Sequence, residues 1–118
     1  MRFTLLMSYS EAGGAALTPE EMEAGRVEFD RYGTALDEAG VLVAAEVFQP
    51  VAAAVTIRSG AVAETVDDSP EQLSGVFVID VPDQASAVEW AQRCPAAEWG
   101  TMVVCQAAVS YYDGSWRN

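Results

Sequence analysis

The hydrophobic pattern alternates between short apolar runs, which read as strands, and segments with apolar positions three or four residues apart, which read as helices. The best-defined unit spans residues 70–97. Gly75 to Val81 (GVFVIDV) is a β-branched and aromatic run of strand length. Pro82 has no N–H to give to a ladder and ends it. Asp83 is placed to cap the helix that follows, by accepting a hydrogen bond from a free N–H of its first turn. Ala85, Val88, Ala91 and Cys94 recur at three-residue steps on one side of that helix, and Pro95 stops it.

The same reading extends along the chain. Arg2 to Ser8 is a first strand, apolar at most positions, as expected of a strand covered on both faces. Tyr9 to Ala16 reads as a surface loop broken by Gly13-Gly14. Thr18-Pro19-Glu20-Glu21 opens a helix: Thr18 is the N-cap, Pro19 takes the first helical position and Glu21 closes a capping box. Met22, Gly25, Phe29, Tyr32, Leu36 and Ala39 form one stripe, so the helix is predicted over Pro19–Ala39, with Gly40 as its stop. Val41–Phe48 and Val51–Ser59 follow as strands. Ser59-Gly60 is a tight-turn signal, with Ala61–Val66 as the returning arm. Thr101–Val109 is the last strand, and residues 110–118 are an aromatic, Gly-broken tail.

Two helices among four or five longer strands, in this order, predict one α+β domain over residues 1–118. It would be a ferredoxin-like sandwich: an antiparallel sheet with both helices on one face. The first strand and Gly75–Val81 are apolar on both sides, yet the helices can cover only one. That pattern predicts a homodimer in which a second copy packs sheet to sheet and closes an α/β barrel.

Charge narrows the partners. With 18 acidic and 6 basic residues, all six of them Arg, the chain carries a net charge of −12. Nucleic acid and anionic membranes are therefore disfavoured, and the field suits a dispersed, acidic cytoplasmic protein. The opening apolar run is too short for a signal peptide or a membrane span. Cys94 and Cys105 have no CxxC spacing and read as small buried thiols. With no His in the chain and two distant cysteines, no zinc-type metal site is expected.

Without His, acid–base work falls to other groups. Glu46 interrupts the apolar strand VAAEVF, where a carboxylate either faces solvent or is buried with a raised pKa. Asp67-Asp68 can share a proton, or simply accept backbone hydrogen bonds in a turn beside Ser69-Pro70. Arg93 can orient an anion through its planar fork, or complement the end of its helix. Tyr9 and Arg58 lie near strand ends where they can line a cleft. Trp90 reads as core, whereas Trp99, Tyr111, Tyr112 and Trp116 can stack on a flat ligand or pack an interface.

Taken together, TPEE opening the first helix, EAGVLVAAEVFQP after it, EQLSGVFVID, and a helix ending WAQRCPAA resemble the YCII-related family of DGPF-type small proteins over most of residues 2–106. The resemblance implies a ferredoxin-like fold, a homodimeric α/β barrel and a pocket between sheet and helices. Some members resemble cofactor-free small-molecule enzymes of the muconolactone-isomerase type in fold. The family's DGPF signature is degenerate here: its place reads AETVDDSPE, Ala63 to Glu71, where Asp68 holds the acidic position. Two functions are compatible with this. One is a cofactor-free isomerase, cyclase or lyase acting on an apolar, aromatic or polyketide-like metabolite, with Glu46 and Asp68 catalytic and Tyr9, Arg58, Arg93 and Trp99 binding substrate. The other is a non-catalytic ligand-binding or regulatory dimer.

Overall fold

A computed structural model describes residues 1–64 and 68–118. Its order is β1 (Arg2–Tyr9), α1 (Glu11–Ala15), α2 (Pro19–Glu38), β2 (Leu42–Val47), a 3-10 turn (Val51–Ala53), β3 (Thr56–Arg58), β4 (Ala61–Ala63), β5 (Gln72–Asp80), α3 (Gln84–Arg93), α4 (Ala96–Trp99), β6 (Thr101–Gln106), β7 (Ser110–Tyr112) and β8 (Ser115–Arg117). Four strands form an antiparallel sheet in the order β2-β5-β1-β6, and the two pairs β3-β4 and β7-β8 stand outside it as hairpins. This is the ferredoxin-like arrangement, and in the single chain its sheet is open.

Alternation along the central strands decides which face is covered. Phe3, Leu5 and Met7 of β1 and Phe77 and Ile79 of β5 are buried against Tyr32 and Leu36 of α2 and Ala87, Ala91 and Cys94 at the α3 side. Both long helices thus cover one face. The opposite face shows Thr4, Leu6 and Ser8 of β1 beside Val76 and Val78 of β5, and Val103 and Cys105 of β6, none of them buried. Across it one register row reads Glu46, Val76, Leu6, Val103.

The helix ends are as the residues require. Thr18 accepts from the Glu21 amide at 3.2 Å while the Glu21 carboxylate accepts from the Thr18 amide at 3.0 Å, a complete capping box. At the other end Gly40 takes φ 72°, its N–H donates to Asp37 and the Val41 N–H donates to Leu36, which satisfies the last carbonyls in a Schellman motif. Asp83 caps α3 through the Ser86 amide at 2.8 Å. Both hairpins turn on residue pairs with positive φ, Ser59-Gly60 and Asp113-Gly114, as a type I′ turn demands.

Several boundaries differ from the pattern reading, each for a local reason. Tyr9–Ala16 is not a loop: β1 continues through Tyr9, and Ser10 caps α1 by accepting from the Gly13 amide at 2.9 Å. The strand expected over Val51–Ser59 begins only at Thr56, because the Val51 amide donates to the Glu11 carboxylate at 2.7 Å and a 3-10 turn follows Pro50. The returning arm ends at Ala63, within the described residues. The last strand stops at Gln106 rather than Val109, since its partner β1 begins at Arg2 and leaves nothing further to pair with. On α3 the covered side is Ala87, Ala91 and Cys94, and Ala85 is exposed. Cys105 is exposed too, because it sits on the sheet face that the helices do not reach. Among the described residues no helix is long and apolar enough to cross a membrane.

Gly75 marks the tightest point between β2 and β5. A Cβ there would lie 2.5 Å from the Glu46 carbonyl oxygen and 2.9 Å from the Met7 methyl. Met7 can move but the backbone of β2 cannot without giving up its register. We therefore expect Gly75→Ala to destabilise the fold by about 3 kcal/mol in urea unfolding, an overpacking cost; a change within experimental error would show that β2 is free to shift.

Candidate functional site

The helix-covered side of the sheet is not filled to its edge. Tyr32 and Leu36 seat α2 over the two central strands, and β2 beyond them is left partly bare. Between α2 and β2 runs a groove of about 690 Å³. Its floor is Leu42, Ala45 and Val47 of β2 with Phe77 of β5, residues that the register places together on the helix side of the sheet. Its wall is one side of α2: Arg26, Phe29, Asp30, Gly33, Thr34 and Asp37. Gly33 widens the groove, since a Cβ built there meets nothing within 4 Å.

The floor is apolar and the rim is acidic. The Arg26 guanidinium is engaged by Glu23, through hydrogen bonds of 3.0 and 2.7 Å, which hold the Glu23 carboxyl below its ordinary range and raise Arg26. Asp30 and Asp37 make no ion pair among the described residues. A ligand that fits this chemistry has a flat apolar body and a neutral or cationic polar end.

Aromatic rings continue from the groove toward the end of β1. Phe29 meets Trp99 edge-on at 6.2 Å, and Trp99 meets Tyr9 in the same manner at 5.1 Å. Gly100 lets α4 turn into β6 against β1, as a Cβ there would strike the Ser8 carbonyl oxygen. Close by, the Gln72 side-chain oxygen accepts from the Glu11 amide at 2.9 Å, and Glu71 accepts from the Thr101 hydroxyl at 2.6 Å. Beneath the groove, Tyr32 donates to the Trp90 carbonyl at 2.8 Å and packs on Phe77 at 5.1 Å. Burial, and then the neighbouring Cys94, push the Tyr32 phenol well above its ordinary range, so it stays a proton donor. Burial likewise raises the Cys94 thiol, which keeps it protonated in the core.

Of the residues singled out by sequence, Tyr9 and Trp99 are brought together. Glu46, Asp68, Arg58 and Arg93 do not line the groove. Glu46 is exposed on the opposite face of the sheet, opposite Val76. Asp68 is exposed before β5, while Asp67 lies outside the described residues. Arg58 is exposed at the end of β3. Arg93 stands in the last turn of α3 with its guanidinium carbon 4.1 Å from the centre of the Trp90 ring. Asp30, Gly33 and Asp37 were overlooked as a set because they lie beside the apolar stripe. Their spacing of three and four residues nevertheless puts them on one edge of α2. Among the described residues no three His, Cys, Asp or Glu side chains gather as metal ligands.

With the groove in view, comparison with known families is informative: the YCII-related domain model matches residues 1–108. The chain belongs to the YCII-related family. No curated protein matches it. For this YCII-related chain the match covers the whole sheet and all four helices, including every residue that lines the groove, and stops before the β7–β8 hairpin. Membership fits a small-molecule-binding domain.

The seat of α2, on which the groove depends, can be tested at Tyr32. Tyr32→Phe keeps the ring contacts and removes one part-buried hydrogen bond, so it should lower stability by about 1 kcal/mol in denaturant unfolding. No loss would mean that water replaces the phenol at the Trp90 carbonyl.

Proposed function

We propose that the chain is a cofactor-free small-molecule enzyme of the isomerase, cyclase or lyase type, whose apolar and possible aromatic substrates lie in the groove between α2 and β2. The observation that carries this reading is the groove itself: an apolar floor of Leu42, Ala45, Val47 and Phe77, with Phe29 and the carboxylates along the α2 wall. In such a site rate comes from positioning and from removal of water around the reacting bond, with Asp30 or Asp37 as the proton carrier. Glu46 and Asp68, which do not line the groove, have no part in that mechanism. Tyr9 and Trp99 act at its far end by extending the aromatic surface that Phe29 begins.

A non-catalytic binding role is the second reading. It is favoured by the exposure of both Asp30 and Asp37 and by the degenerate signature before β5. A metabolite extract passed over the protein separates the two: a ligand recovered unchanged supports binding, and a converted one supports catalysis.

The working unit in this reading is a homodimer. The single chain exposes 7937 Å², whereas a compact monomer of 12.6 kDa exposes about 6,200 Å². Its radius of gyration is 15.8 Å, against about 13.5 Å for a compact chain of this length. The excess of about 1,700 Å² exceeds the ~800 Å² that each partner buries in a standard interface. The uncovered face, with Leu6, Val76, Val78 and Val103, supplies an apolar surface for a second copy.

Gly33→Phe puts a ring into the groove at a position where a Cβ meets nothing within 4 Å. With the neutral flat fluorophore N-phenyl-1-naphthylamine as probe, this variant should bind about ten-fold more weakly than wild type, with thermal stability unchanged. Equal binding by both proteins would place the apolar site elsewhere.

A further inference from the structure

The β7–β8 hairpin folds back against the start of β1 and the end of β6. The space between them is a cavity of about 260 Å³ whose lining includes Arg2, Asp80, Gln106, Ser110, Tyr112 and Arg117. It shares no lining residue with the groove. Its hairpin wall lies beyond residue 108, where the family match ends.

Two of the chain's six arginines meet here, in a protein of net charge −12. Both stack on one ring: the guanidinium carbon of Arg2 is 4.3 Å from the centre of Tyr112, and that of Arg117 is 4.9 Å away. Arg117 also donates its Nε–H to the Tyr112 carbonyl at 3.2 Å. Among the described residues neither arginine has a carboxylate within ion-pair distance. The acid that lines the cavity, Asp80, is taken by the amino group of Met1 at 2.9 Å.

A guanidinium set against a ring keeps N–H groups that match the oxygens of an anion; on Arg117 these are the terminal ones, since its Nε–H is given to the Tyr112 carbonyl. The ring contact also fixes both planes before any ligand arrives, so less freedom is lost on binding. Two cations 4.3 and 4.9 Å from one ring centre repel each other, and an anion that accepts from both offsets that repulsion. Among the described residues no other ring holds two arginines: Arg26 is paired with Glu23, Arg31 stands farther along α2, and Arg58 and Arg93 are apart on β3 and α3.

We propose that this cavity binds a compact oxyanion, a small dicarboxylate or a phosphate, through the N–H groups of Arg2 and Arg117 beside the Tyr112 ring. The hairpin then acts as one jaw of an anion site and not only as a surface ornament. The Tyr111–Trp116 pair, on the other face of the hairpin, takes no part.

The test is an NMR titration of the intact chain at low salt, read at the arginine Nε–H resonances, with sodium succinate, inorganic phosphate and uncharged succinamide as probes. The Arg2 and Arg117 resonances should move saturably with succinate or phosphate and not with succinamide; the tighter of the two anions identifies the ligand class. Arg2→Lys and Arg117→Lys keep the charge and lose the fork, and each should weaken binding about ten-fold. Arg58→Gln, on the other hairpin, should bind as wild type does. The proposal is overturned if neither anion moves these resonances saturably, if both lysine variants bind like wild type, or if Arg58→Gln weakens binding as much as they do. The wild-type titration needs no substitution, so an effect of the variants on hairpin docking cannot rescue or sink the result.

Discussion

The sheet is apolar where the helices cover it and still carries Leu6, Val76, Val78 and Val103 on its other face, and the chain has helices enough for one face only. Everything else in the molecule follows from how that mismatch is handled. On the covered side, Phe3, Leu5, Met7, Phe77 and Ile79 meet Tyr32, Leu36, Ala87, Ala91 and Cys94, and this cluster is the core. On the other side, Leu6, Val76 and Val78 are only half covered and Val103 lies open. Apolar surface of that extent is costly in water.

The groove arises from the way the core is built. A single helix seated by Tyr32 and Leu36 over the central strands cannot also cover the edge strand, so Leu42, Ala45 and Val47 remain as a floor. A larger residue at position 33 would close it. The acidic rim is then a consequence of helix periodicity, which places Asp30 and Asp37 along the wall that Gly33 opens. In a chain without His, these carboxylates are the titratable groups best placed over an apolar floor.

Much of the fold was legible in the sequence. The capping box at Thr18–Glu21, the stop at Gly40 and the Asp83 cap each had a local signature, and the structure follows them; of the two strands expected to be apolar on both sides β5 is, whereas β1 turns Thr4 and Ser8 to the bare face beside Leu6. The misplaced boundaries depended on distant partners. Val51 gives its amide to Glu11, forty residues away, and β6 ends where β1 runs out; neither event leaves a mark in the neighbouring residues. The site was less legible for a related reason. Glu46 stood out because a charge inside an apolar strand is conspicuous, but alternation alone does not say which face holds the ligand. The groove is lined by ordinary small and apolar residues whose meaning lies in where α2 sits. The aromatic pairs Tyr9–Trp99 and Tyr111–Trp116 were both named from sequence and brought together in space, the first of them next to the groove.

If the bare sheet face is the surface that a second copy covers, charge placed at its centre must separate the two chains without disturbing the helix-covered core. Leu6 sits in the middle of that face, between Val76 and Val103, and away from the groove. Light scattering on the wild-type protein and on Leu6→Asp tests this most directly. A wild-type mass of twice the 12.6 kDa chain, with a folded monomer for the variant, is the predicted result. A wild-type protein that stays monomeric at micromolar concentration would contradict it.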